Sequence, residues 1–339
     1  MLSRNLSALV RFSVRKLTTQ AAASNAAEYS IPTPESVYKT DPAPYFFNEE
    51  VQQLLLKVTR PDPSRVFRRQ LDGRSLEAPE YKFMTDEDLA KAREEAHKKM
   101  IDLLQMPPIV KVRKDNVKIL KRDEELVGYS THKFVFTDTT FGVSNKKRII
   151  VVREPNGDLR TANYEERDRL NQIYFPIAGR EVYPPKMFQP EHLEPILDRE
   201  DYDFILNRVC VQFDPDHPEF HRVSQLTYDR IYEKGHYEKL RSTRHYGPMV
   251  FYLTWCKKID NLLIENIAQE FIEDAALTIK LYYILHPSDN VPKGVDNIKL
   301  IQHYLDNDCN SQCKRRLDNT LKMHLELESE RKKVNEDLD

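Results

Sequence analysis

The tract DPDHPEFH places Asp214, Asp216, His217, Glu219 and His221 within eight residues. Aspartates two apart and histidines four apart are side chains that ligate a divalent cation. Histidines at that spacing share a face only on a helix, and Pro215 and Pro218 interrupt one. His221 would also need ligands from elsewhere, so the tract reads as a polar, proline-bounded loop. Cys309 and Cys313 form a second pair, C-x3-C at helical spacing, which is half of a metal or redox site. No further Cys or His pair stands at finger-like spacing, and the pair reads as structural. Cys210 and Cys256 sit among apolar or aromatic residues and read as buried thiols. The acid pairs Asp201/Asp203 and Asp306/Asp308 fit helix starts and loops. The P-loop, the dinucleotide fingerprint, the nucleophile elbow and the His-Glu zinc helix are absent from the sequence. No catalytic residue, metal site or cofactor site is expected.

Basic clusters remain. The segment 240–258, LRSTRHYGPMVFYLTWCKK, gathers Arg241, Arg244, Lys257 and Lys258 around His245, Tyr246 and Trp255. Lys146, Lys147 and Arg148 stand at a turn between strand-like runs, and Arg65, Arg68 and Arg69 in an early loop. Cations at loop tips contact phosphates, and arginine beside exposed aromatics stacks on unpaired bases. The same aromatics fit a core with the charges merely solvated, and the residues leave both readings open. Arg241, Arg244, Lys257, Lys258, Lys146, Lys147 and Arg148 are the candidate contacts for RNA or a partner.

Helices must position most of these residues. Thr85 caps an acidic first turn and starts a helix with Leu89, Ala92, Ala96, Met100, Leu103 and Leu104 on one face, ended by Pro107 and Pro108. Asn48 caps a shorter helix before it, stopped by Pro61. The period changes over 132–161. HKFVFTDTTF and KKRIIVVREP, then Asn156-Gly157 and LRTA, predict a short antiparallel meander. Asn163 then caps a helix. Leu263, Ile267, Phe271, Ala275 and Ile279 recur at i+4 and predict one long helix over 259–286 that buries Ile267 and Phe271. A last charged helix over 309–336 carries one short stripe, Leu317, Leu321 and Leu325, and reads as a solvated or partner-bound extension.

The fold class expected is mainly α with a small antiparallel β meander (α+β), an extended N-terminal segment and a charged C-terminal helix. Only 8 of 339 residues are glycine. Glycine supplies the close backbone approaches of phosphate loops, so nucleotide-binding enzymes are disfavoured. No run is apolar for about 20 residues, so no membrane span is expected. Residues 1–27 hold Arg4, Arg11, Arg15 and Lys16 and no acid, among leucines and hydroxyl residues, the make-up of a mitochondrial transit peptide. Removing it leaves a chain more acidic than the −2 of the whole, so nucleic-acid contact must be local. The expected division is a leader over 1–27, an extended linker with one short helix over 28–79, a helical domain over 80–287, and a charged helical extension over 288–339.

Two long stretches, FVFTD through YPPKMF at 134–188 and KLRSTRHYGPMVFYLTWCKKIDNLLIENI at 239–267, resemble a family of metazoan mitochondrial ribosomal proteins, that of small-subunit protein twenty-two. The leader, MPP at 106–108, the VREP-x-G turn ending at Gly157 and KKID at 257–260 follow in matching order. The resemblance covers roughly 48–287. It implies a structural component of the mitochondrial small ribosomal subunit in the matrix, bound to ribosomal RNA and neighbouring ribosomal proteins, with no enzymatic activity and no catalytic or metal residues to carry over. A matrix adaptor or assembly factor would share every compositional feature, and co-sedimentation with the subunit at high salt separates the two. A metal-dependent enzyme built on 214–221 would carry stoichiometric metal.

Overall fold

The decapeptide YGPMVFYLTW is apolar all round, and a helix of that kind has no face to offer water. It forms the central helix, Tyr246–Trp255, buried from Tyr246 to Thr254. The computed structural model describes residues 37–38, 40–67, 81–288 and 296–336. The expected leader, the start of the expected linker and the pair Arg68–Arg69 lie outside the described residues.

In chain order the helices are α1 (Ala43–Phe46), α2 (Glu49–Thr59), α3 (Pro63–Val66), α4 (Asp86–Leu103), α5 (Tyr164–Tyr174), α6 (Pro190–Asp198), α7 (Tyr202–Gln212), α8 (Pro218–Lys234), α9 (Tyr246–Trp255), α10 (Asp260–Ala268), α11 (Ile272–Leu285), α12 (Asn297–Asn307) and α13 (Ser311–Glu336). Between α4 and α5 lie the strands β1 (Ile119–Arg122), β2 (Phe134–Thr137), β3 (Ile150–Arg153) and β4 (Asp158–Thr161). The expected mainly α architecture with a small antiparallel sheet is present. Start signals act locally: the Asn48 side chain accepts from the Glu50 amide at 2.9 Å, and Asn163 with Glu166 closes a reciprocal capping box.

Two helical cores abut. In the first, α9 packs against α2, α8 and α11, joining Phe46, Leu55, Leu206, Val223 and Phe251. In the second, Leu263, Ile267 and Ile279 meet Ile301, Tyr304, Leu317 and Leu321. Helices α10 and α11 serve both, since Leu262 and Leu281 face the first core. Met106 of the MPP step packs over Gly247 of α9 so closely that a Cβ at 247 would collide with the Met106 sulfur.

The sheet order is β1-β4-β3-β2, antiparallel throughout. Phe134 faces Arg153 and Thr137 faces Ile150 across the β2–β3 hairpin. Ile150 and Val152 point inward with Ala162 onto Leu170 of α5. Gly157, at φ +82°, closes the β3–β4 turn, and a Cβ there would strike the Asp123 carbonyl, so the turn needs glycine twice over. Strand β1 was not foreseen: its residues, ILKR, are all exposed, and it pairs with β4 through an irregular register at Ile119/Lys121.

Three expectations change. The long helix over 259–286 is two helices. Glu270 takes the left-handed conformation at φ 63°, and the amide of Phe271 donates back to the Asn266 carbonyl at 2.7 Å, closing α10. Phe271 is therefore half-buried at the start of α11, not a core position. The final helix is not solvated along its length, because Leu317 and Leu321 are buried against the second core. The face predicted for α4 is covered only at its C-terminal end: Met100 and Leu104 are buried, while Leu89 and Leu103 are exposed.

Candidate nucleic-acid interface

The seven candidate cations part company in three dimensions. Arg241 turns inward from the loop before α9. Its guanidinium donates to Asp274 at 3.0 Å, Asn266 at 2.9 Å and Glu238 at 3.0 Å, and the side chain is only 5% exposed. Arg60, at the end of α2, also pairs with Asp274 at 2.7 Å. Both guanidiniums stack on the Phe271 ring, 3.7 Å and 4.8 Å from its centroid. Burial raises the Asp274 carboxyl above its usual range against the pull of both arginines. Arg241 thus stitches α10 and α11 to the loop and is withdrawn from any outside partner. Arg244 is half-buried and donates to Asn207 of α7 at 2.6 Å, and Lys258 pairs with Asp229 of α8 at 2.8 Å. Lys257 is exposed, with a left-handed backbone at φ 58°. The aromatics are core: Tyr246, Phe251 and Tyr252 are buried, and Trp255 stacks on Phe251 with centroids 5.9 Å apart.

The 144–148 turn is built the other way round. Arg148 is 2% exposed, and its guanidinium donates to the carbonyls of Asp138, Thr140 and Val143 at 2.8–3.0 Å while stacking 3.6 Å over Phe175. Arg167 of α5 donates to the carbonyls of Asn145, Lys146 and Arg148 at 3.2, 3.1 and 2.9 Å. Arg148 is therefore a clamp inside the turn and does not face a partner. Among the described residues, neither guanidinium lies within ion-pair distance of a carboxylate. Lys146 and Lys147 are exposed, as is Lys118 nearby, and none of the three has an ion pair among the described residues.

These residues rim a groove of about 480 Å³ between the turn, the 113–118 segment and α5. It shares Asn145, Lys146, Asp168, Asn171 and Asp214 with an adjoining groove of about 370 Å³. The floor is acidic around two arginines. Arg113 is held by Asp168 and Asp216, stacks 4.5 Å from the Tyr164 centroid, and has its side chain 9% exposed. Arg180 ties Asp214 at 3.0 Å. Burial raises the Asp168 carboxyl. Buried Arg113 Nε, Asn171 Oδ1 and Asp216 Oδ1 have no hydrogen-bond partner. Arg113, Lys118, Arg167 and Asn171 were invisible as a group in the sequence, because each stands alone there, and strand, loop and helix bring them together.

The DPDHPEFH tract becomes the start of α8. His217 is its N-cap, its Nδ1 accepting from the Glu219 amide at 3.0 Å, and burial pushes its pKa down to about 4. His221 faces the aromatic core beside Tyr38 and Phe220, also pushed down by burial. Asp214 and Asp216 turn instead to Arg180 and Arg113. Among the described residues no group of three or more His, Cys, Asp or Glu side chains is placed to hold a metal ion. Among the same residues no helix is long and apolar enough to cross a membrane.

Fold and groove together define an α+β protein with a helical body, Arg148 and Arg241 turned inward, and a polar groove beside a small sheet. The family model for mitochondrial 28S ribosomal protein S22 matches residues 44–287. A mouse (Mus musculus) protein named small ribosomal subunit protein mS22 is 41% identical over 265 residues, which is 76% of this chain and 73% of that protein. The protein of the same name from cattle (Bos taurus) is 41% identical over 244 residues, 72% of this chain and 67% of its own. The chain belongs to the mitochondrial 28S ribosomal protein S22 family.

Proposed function

We propose that this chain is a structural component of the mitochondrial small ribosomal subunit, working in the matrix and holding ribosomal RNA and neighbouring ribosomal proteins in place without catalysing a reaction. The observation that carries this reading is the 41% identity, over three quarters of the chain, to a protein named for that subunit. The physical arrangement supports it. Two cores and buried ion pairs make a stiff body, and outward lysines beside an open groove offer phosphate contacts that position without reading sequence. Of the seven candidate contacts, Lys146, Lys147 and Lys257 are the ones free to reach a partner directly, with Arg244 and Lys258 at its margin. The apolar edge Phe134 and Phe136 of the sheet and the uncovered face of α4 offer ground for protein neighbours.

Sedimentation of mitochondrial lysate in high salt tests the reading. The chain is expected with the small subunit. A peak among free proteins would favour the alternative, a matrix adaptor or assembly factor. The acid-free leader is proposed to be cleaved on import, and protein recovered from mitochondria that begins at Met1 would contradict that part.

A further inference from the structure

We propose that the groove between the 144–148 turn, the 113–118 segment and α5 seats an unstacked nucleotide of single-stranded RNA, with its flanking phosphodiesters on Lys118, Lys146 and Lys147. The proposal rests on the reading above, that the chain sits on ribosomal RNA, and adds where and how.

Charge is the first argument. The carboxylates near the groove are spent unevenly. Asp168, Asp214 and Asp216 gather on the floor around Arg113 and Arg180. Asp115 accepts from the Tyr164 amide, and Asp138 accepts from Thr140. Among the described residues the rim lysines have no carboxylate within ion-pair distance, and behind them the guanidiniums of Arg148 and Arg167 are hydrogen-bonded to neutral carbonyls. Anions are therefore drawn to the rim, where binding is mainly electrostatic.

The floor is the second argument. Asn171 Oδ1 is a buried acceptor with no hydrogen bond, and Asp216 Oδ1 has only the 3.7 Å ion pair to Arg113, whose Nε is likewise without a hydrogen bond. Asn171 is 6% exposed and borders both parts of the groove. Buried polar atoms are nearly always paired, so Asn171 Oδ1 has a lone pair to give to a donor that enters the groove. A free amide acceptor among carboxylates calls for a ligand edge that offers N–H or O–H groups. The volume, about 480 Å³ with 370 Å³ adjoining, is that of a small-molecule site.

One ligand unit satisfies both halves. A nucleotide carries an anionic phosphate at one end and, a sugar's width away, a ribose 2′-hydroxyl and base edges that donate. An acidic peptide matches the rim but is repelled by the floor. A basic peptide matches the floor but is repelled by the rim. Guanidinium clamps hold the turn, so the rim is set before the ligand arrives, as a preorganised site requires.

Lysine acylation on intact small subunits tests this, compared before and after brief nuclease treatment and with the free chain. Ultraviolet crosslinking of the same subunits maps nucleotide adducts. Lys146 and Lys147 are expected to be protected in the subunit and exposed by nuclease, with adducts on peptides covering 144–150 or 164–175. Asn171→Leu should lower that adduct yield while the melting temperature holds, and the double substitution Lys146→Glu, Lys147→Glu should abolish it. Lysines that react in the subunit as fast as in the free chain would overturn the proposal. So would protection that survives nuclease without any adduct, which would assign the groove to a protein neighbour. In either of those outcomes the chain is still in the subunit. If the chain fails to sediment with the subunit, the functional reading itself fails.

Discussion

Around Arg241, each charge is met by a group from another helix: Asp274 and Asn266 reach in from α11 and α10, and Arg60 from α2. Around Lys146, the clamps Arg148 and Arg167 take carbonyls of neighbouring backbone, and the lysines are left outward. The first arrangement spends arginine on holding helices together. The second spends arginine on holding a loop and saves lysine for something else. The difference follows from chemistry: a guanidinium presents a fork of donors that fits several buried acceptors, whereas an ammonium keeps its water. At the 144–148 turn the lysines stand outward and the arginines behind them fix the geometry.

That contrast breaks most readily at Arg241. Arg241→Ala breaks a buried pair, leaving Asp274 to Arg60 alone and the Asn266 side-chain oxygen without its donor, and is expected to cost about 3 kcal/mol, read as a large fall in melting temperature. Replacing Arg241 by Met together with Asp274 by Leu should recover part of the loss, because a removed pair costs less than a broken one and Arg60, which also loses Asp274, is exposed enough to be met by water. If Arg241→Ala melts like the parent, the inward region is not held by charge. A smaller effect belongs to the packing beneath it. Gly247→Ala forces Met106 aside and should cost about 1–3 kcal/mol by overpacking, with Met106→Ala restoring part of it in the double variant by urea midpoint.

Acid should strain two buried histidines next, His245 beside the inward region and His217 at the start of α8. Burial depresses His217 to about 4 and His245 to about 3, the latter helped by Arg244. An unfolded histidine titrates near about 6.5. Below that pH the unfolded chain takes up protons that the native state refuses, so stability is level above about pH 6.5 and falls as pH drops toward 4. The slope is at most about 1.4 kcal/mol per pH unit for each histidine. His217→Asn keeps an acceptor at the helix cap and should flatten the urea midpoint profile over that window. An unchanged slope would clear His217 of the effect. The least disturbance to the fold is expected at the rim: Lys146→Glu with Lys147→Glu should shift stability by less than about 0.5 kcal/mol. A large fall in the melting temperature of that variant would erase the distinction between the two regions.

Local signals read well from the sequence. Asn48, Thr85 and the Asn163/Glu166 pair cap helices where their side chains predict, and Asn156-Gly157 makes its hairpin. What failed is whatever depends on distant residues. Nothing in the run Ala268-Gln269-Glu270-Phe271 marks a break, since neither Gly nor Pro is present, and the left-handed Glu270 exists because α10 and α11 must pack side by side. The direction of a basic cluster was equally hidden. Arg241 is internal only because Asp274, 33 residues on, comes to meet it. The groove was hidden most of all, because its parts come from 113–118, 144–150, α5 and 214–216, and no one of them is a motif. The stretches that carried the resemblance prove to be joints of the fold: MPP against Gly247, the Gly157 turn against Asp123, and Asp260 of KKID accepting from the Tyr304 hydroxyl at 2.9 Å.

That last bond crosses the end of the matched region. The family model stops at residue 287, yet Leu300, Ile301, Tyr304, Leu305, Leu317 and Leu321 beyond it supply six of the fourteen buried residues of the second core. The end of the alignment is thus not a place to cut. A chain shortened there would leave Ile267 and Ile279 bare to water, as would a nascent chain whose last stretch has yet to emerge. Such a chain is a client for chaperones and proteases. Stable folding is therefore expected to wait for translation past Leu321, and nonsense changes before that residue should behave as losses of the whole protein.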